Sequence, residues 1–249
     1  MNKSIAVYPM LKMKITQSYN GTASHLPYST GNKKDYPVDE AGTNSGRDYM
    51  FCPCAKMKIV RLYGVGNSGT NTIWLTSVGK IDFPDGTRDY LTIMVIHPND
   101  DDLKKLKVGK IFEKGEKMFR EGTDGHTTGN HLHFSVGKGK VKGTGWEKNN
   151  KGKWVLTTKS GTCKPEDVFY IDKASTTVLK TGGIVFPELL KKEKSYITTA
   201  ALNIRQSHST AAKKLGTYDK DVKIKIFAVY ENWGQTDKGW ICLDYCKAV

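Results

Sequence analysis

Cysteine is scarce and unevenly placed: five in 249 residues, at positions 52, 54, 163, 242 and 246. An odd number leaves at least one thiol without an intramolecular partner. Cys52-Pro53-Cys54 is too tight for a zinc-ribbon knuckle, and Cys242 and Cys246 stand alone near the end. Reduced thiols in a chain made in a cytosol are therefore expected, rather than a disulfide scaffold. Long apolar runs are missing as well. The start, "MNKSIAVYPMLKMKITQSYNG", breaks each apolar run with Lys, Pro or Thr and so lacks the core of a secretory signal. No later segment approaches the length needed to span a bilayer.

Acidic residues are few relative to basic ones, 25 Asp+Glu against 39 Lys+Arg, a formal net charge of +14. That balance favours an anionic partner: nucleic acid, a membrane surface, or the phosphate-bearing polymers of a bacterial wall. Nucleic-acid binding rests on charge alone, with no recognised motif, and is not expected.

Helical periodicity is the next shortage. What is present is period-two alternation in "KIVRLYGVG", "NTIWLTSVGKIDF", "DYLTIMVIH", "HLHFSV" and "KWVLTT", punctuated by "NSGT", "PDGT" and "NNKGK" turns. The pattern predicts an all-β, β-rich fold of antiparallel sheets. One short helix is expected in "PNDDDLKKLKVG", capped by Asn99 or Asp100 with acidic residues in its first turn. A first domain is expected over 1–171, a linker carrying the docking segment "GIVFPELL" over 172–195, and a small β-barrel over 196–249.

With only six histidines in the chain, "GNHLHFSV" (129–136) places two of them one residue apart. In a strand, residues two apart share a face. His131, His133 and Ser135 then face one way, and Leu132, Phe134 and Val136 the other. Two imidazoles aimed into one site suit a zinc centre, which needs three protein ligands and an open position. A polar strand face is the plainer alternative. His25, His97 and an acidic residue of "KKDYPVDEAGTNSGRD" are the upstream partners to weigh. His126 is read as a loop residue and His208 as surface.

With these residues in order, and above all with "EGTDGHTTGNHLHFSV" (121–136), the chain resembles the lysostaphin-type (LytM-like) zinc endopeptidases of peptidoglycan over roughly residues 14–140. The resemblance implies zinc held by His25, Asp39 and His133. It implies His131 as the proton carrier and His97 as a donor to the tetrahedral oxyanion. One departure is the interval between His25 and Asp39, fourteen residues, where the family keeps the two close. A shorter register would use Asn44 and Asp48, with Asn44 a poor ligand, and would make the domain a catalytically inactive relative.

Residues 201–246 resemble bacterial SH3-like wall-binding modules through Leu202, Asn203, Ile204, Arg205, Gly216, Trp233, Gly239 and Trp240. Trp240 is expected in the core, and Tyr218, Tyr230 and Trp233 on the surface as contacts with the wall. Together the two resemblances imply a phage-type endolysin. It would be made in the host cytoplasm, released to the wall with the help of a holin, and would cleave peptides of Gram-positive peptidoglycan. A tail-associated or autolytic hydrolase is the alternative.

Overall fold

The computed structural model describes residues 4–21, 24–42, 47–66, 70–125 and 127–249. Asn44 and His126 lie outside the described residues. The chain is β-rich and its sheets are mainly antiparallel. The central sheet runs in the order Ile111–Glu113, Lys56–Tyr63, Thr72–Ser77, Leu91–Ile96, Leu132–Lys138, Val38–Glu40, Lys12–Gln17 and Thr177–Lys180. Every neighbouring pair is antiparallel except the last, where Thr177–Lys180 runs parallel to Lys12–Gln17. Asn99 caps the short helix Asp100–Leu103, its side chain accepting from the Asp102 N–H.

The alternation of "HLHFSV" sorts the two faces of its strand. Leu132, Phe134 and Val136 join Ile73, Leu75, Ile93 and Val95 in the main core. The other face is covered as well, since Leu132–Gly137 is buried throughout. The cause is a hairpin, Val141–Lys148 with Trp154–Thr158, that packs against the second face. Trp74, Met94, Ile96 and Leu156 form a second small core there, with Trp146 packed against it. Trp74 Nε1–H donates to the Gly145 carbonyl at 3.0 Å. Gly145 has φ of +85°, and a Cβ there would come within 2.8 Å of that same nitrogen, so glycine is required at this approach.

The hairpin tip is tied to the segment that follows His25. Asn149 Nδ2 donates to the carbonyls of Pro27 (2.9 Å) and Lys33 (3.3 Å), and its Oδ1 accepts from the N–H groups of Lys151 and Lys153, both at 3.0 Å. Asn149 is buried, so these bonds satisfy groups that water does not reach.

The segment after Ile171 is built into the fold. Thr177–Lys180 extends the central sheet, and Ile184 and Phe186 are buried in its core, with the Phe186 ring 5.4 Å from that of Tyr8. The strand Glu188–Thr198 then enters a seven-stranded sheet with Leu202–Arg205, Lys214–Tyr218, Lys223–Tyr230, Trp233–Gln235, Trp240–Cys242 and Cys246–Ala248. This unit packs on the larger one. Trp240, fully buried, donates its Nε1–H to the Pro84 carbonyl at 2.6 Å, and the Tyr170 hydroxyl donates to Gln235 Oε1 at 2.7 Å.

Three expectations for this unit change. Tyr218 and Trp233, expected outside, are buried at 8% exposure each. His208, expected at the surface, stacks on Tyr230 at 3.8 Å between ring centroids and abuts Trp240 at 5.3 Å, because the loop folds inward over the tryptophan.

Candidate metal centre

Register brings the first two donors together. His133 pairs across the sheet with Asp39 on one side and Ile96 on the other, which sets the carboxylate beside the imidazole. His25 arrives from outside the sheet. It stands at the N-terminus of the five-residue helix Leu26–Thr30, where Pro27 occupies the first turn and presets its φ. Asp39 also pairs with Gln17, the last residue of the strand Lys12–Gln17.

His25, Asp39 and His133 are all buried, at 3%, 7% and 6% exposure, and each offers one ligand atom within 4.8 Å of the other two. His25 Nε2 lies 3.2 Å from Asp39 Oδ2, and His133 Nδ1 lies 2.9 Å from Asp39 Oδ1. Burial raises the Asp39 carboxyl pKa, but hydrogen bonds from His133 and His25 outweigh it and hold the group well below the usual carboxylate range. Burial pushes the His133 imidazole down, more than Asp39 raises it. The pair is thus a neutral imidazole on a carboxylate. This donor set, two imidazole nitrogens and one carboxylate with room for a fourth ligand, fits zinc. The outward nitrogens, His25 Nδ1 and His133 Nε2, have no hydrogen-bond partner among the described residues. The ring positions are therefore set by the shared carboxylate and by packing.

Asp48 is not part of this cluster. Its main chain pairs with Glu121, the N–H donating to Oε1 at 3.1 Å and the carbonyl accepting the Glu121 N–H at 3.0 Å.

Two more histidines stand over the donors. His131 Nε2 is 4.0 Å from Asp39 Oδ1, and its ring is 4.9 Å from that of His97. His131 Nδ1 faces the Gly129 carbonyl at 2.9 Å, and His97 Nδ1 faces the Asp124 carbonyl at 2.5 Å. A carbonyl only accepts, so both Nδ1 atoms carry the proton and both Nε2 atoms keep a lone pair in the neutral ring. Burial also lowers the His97 pKa to about 4. With its Nδ1 proton on the Asp124 carbonyl, neutral His97 turns its Nε2 lone pair to the cleft. Its backbone is unusual too, with φ of +68°. That left-handed turn ends the strand and swings the ring into the cleft.

Tyr28 was not anticipated. Its ring lies 5.3 Å from His133 and 5.9 Å from His25, on the helix turn that follows His25. Burial, with Asp35 and Asp39 nearby, raises its pKa to about 12, so the hydroxyl keeps its proton. Pro27 at the helix start is a local signal of a turn, but the sequence carries no sign that the turn delivers a phenol to the donors. The site opens into a cleft of about 480 Å³ whose other wall is the hairpin, through Trp146, Lys153 and Trp154.

No family model matches the chain. Over 144 residues, 58% of its length, the chain is 33% identical to Morphogenesis protein 1 of Bacillus phage B103, and that match covers 35% of the relative. The chain thus spans about a third of that protein's length. Among solved structures, a zinc-containing peptidase from Vibrio cholerae aligns with 53% of this chain and 36% of its own, at 20% identity and a TM-score of 0.34. The antimicrobial peptidase lysostaphin from Staphylococcus simulans aligns with 97% and 92%, at 16% identity and a TM-score of 0.36. At these scores neither alignment carries an argument about this chain.

Proposed function

We propose that the protein is a zinc-dependent endopeptidase that hydrolyses peptide bonds of bacterial peptidoglycan. The observation that carries the reading is the convergence of His25, Asp39 and His133 beneath the two further rings of His131 and His97, at the floor of an open cleft. Three protein donors leave the fourth position of a zinc ion open to water, as a catalytic site requires. Two additional histidines with free Nε2 lone pairs add groups that move protons.

Zinc at these donors would supply a Lewis acid for a peptide carbonyl and lower the pKa of water towards ~7. The chain's own residues do the rest. His131 Nε2, beside Asp39, takes the proton of the attacking water and later returns it to the leaving amine. His97 Nε2 accepts a hydrogen bond from that water and orients it. Tyr28, whose ring stands beside both His25 and His133 and whose hydroxyl keeps its proton, takes the donor role. Tyr28→Phe is expected to keep its metal and lose about 10²-fold in kcat, the scale of one oxyanion donor. Metal content and steady-state rates on a wall peptide check it. A rate within about twofold of the parent would return the donor role to another group.

The net charge of +14 suits an anionic wall, and the C-terminal unit resembles wall-binding modules in its sequence. Two settings fit this chemistry: an endolysin released from the host cytoplasm with a holin, and a hydrolase carried by the phage particle. The name of the Bacillus phage relative, a morphogenesis protein, favours the particle. Purified wall incubated with the protein tests the activity. New amino groups without new reducing sugar ends are expected. Reducing ends alone would mean a glycosidase.

A further inference from the structure

The wall of the cleft opposite the histidines is an aromatic ledge that hydrolysis does not use. Tyr63 and Trp154 are 50% and 44% exposed, which is high for rings of this size. They flank Trp146, with ring centroids 5.1 Å away in each case, and the Trp146 and Trp154 planes are tilted by 32°. All three line the cleft that holds His25, Asp39 and His133.

The ledge is fixed from behind. Trp74, fully buried, meets Trp146 edge-on at 4.9 Å and holds the hairpin through the Gly145 carbonyl. The Arg61 guanidinium lies over the Trp74 ring at 5.1 Å and donates to the Thr144 carbonyl. Asn149 ties the tip to the loop that carries His25 and Tyr28. Exposed aromatics on so rigid a frame hold ligand area without an ordering cost. Lysines border the ledge: Lys148 Nζ stands 5.3 Å from the Trp154 ring centroid, and Lys153 Nζ stands 5.4 Å from that of Tyr28.

We propose that Tyr63, Trp146 and Trp154 form a saccharide subsite, on which a pyranose ring of the glycan strand stacks while the peptide attached to that strand lies over the metal donors. The inference rests on the peptidase reading and adds the sugar to its substrate. The chemistry is that of a flat ring face against the C–H face of a pyranose, with lysine ammonium groups donating to acetamido carbonyls or to carboxylates of the attached peptide. The short side chains of wall peptides offer little flat apolar surface, so they leave the ledge without a use. The glycan supplies that surface in every repeat.

Two measurements on the full chain test the subsite. The first is calorimetric titration with a tetramer of N-acetylglucosamine, which involves no hydrolysis. Binding is expected, weakened about fivefold to tenfold in Trp154→Ala and by less in Tyr63→Ala, the scale of one lost aromatic contact. The second compares hydrolysis of a wall peptide with that of the same peptide carrying its disaccharide. The ratio of kcat/KM values should favour the glycosylated substrate, and Trp154→Ala should collapse that preference by a similar factor, mainly through KM. Absence of tetramer binding, or binding equal in parent and both variants, overturns the proposal. So does a preference that survives Trp154→Ala. If neither peptide is cut by the parent protein, the peptidase reading fails, and the titration still decides the ledge.

Discussion

His133→Ala abolishes both metal binding and hydrolysis, whereas His131→Ala keeps the metal and loses the hydrolysis. His131 immediately precedes the strand Leu132–Lys138 and His133 lies within it, but their nitrogens meet different partners. His133 Nδ1 is 2.9 Å from the Asp39 carboxylate inside the donor cluster, and His131 Nε2 is 4.0 Å from it at the cleft. Removing one of three donors forfeits roughly a third of a zinc-binding free energy of ~10–16 kcal/mol, so the metal affinity falls about a thousandfold. Removing a general acid–base costs 10²–10⁴-fold in rate and leaves the donors in place. Zinc per chain after dialysis, with rates on a wall peptide, checks both variants. Equal zinc loss in the two would move His131 into the donor set.

The second large effect separates two carboxylates. Asp39→Asn should lose zinc and activity, whereas Asp48→Asn should keep both. Asp39 is the carboxylate shared by His25 and His133, whereas the bonds that tie Asp48 to Glu121 run through its main chain and survive the substitution. The metal-free proteins give a further readout. Because the folded Asp39 carboxyl is held below its unfolded value of ~3.9, its ionised form stabilises the fold above that pH. The contribution fades as pH falls through the lower folded value. The parent should therefore lose stability on acidification more steeply than Asp39→Asn, as denaturant midpoints between neutral and acid pH would show. Zinc retained in Asp39→Asn but lost in Asp48→Asn would restore the shorter register.

What the sequence disclosed of this site follows from period. His131 and His133 flank Leu132 at the start of the strand Leu132–Lys138, so alternation separates site residues from core without any knowledge of neighbours. The long interval between His25 and Asp39 is also intelligible: it holds the helix Leu26–Thr30 and the loop that Asn149 secures. Tyr28 was hidden because its role depends on where that helix turns, which is set by Asn149 more than a hundred residues later. Of the hairpin, the turn "NNKGK" and the strand "KWVLTT" were legible, but not the first strand or the face it covers. "VKGTGWEKNNKGKWVLTT" looks polar and glycine-broken, and its apolar partner, Trp74, lies on a strand formed far earlier. Tyr218 and Trp233 were expected outside because a small barrel leaves few positions distinguishable by local pattern, and packing decided them.

The central claim is that the His25–Asp39–His133 cluster holds the ion that drives peptide hydrolysis. Stepwise addition of zinc to the metal-free protein, with amine release from purified wall followed at each step, tests it most directly. Activity should rise from background in proportion to added zinc and level off at about one equivalent per chain, as expected of a single three-donor site. Hydrolysis that proceeds unchanged without zinc, or zinc that binds at that stoichiometry in His133→Ala, would contradict it.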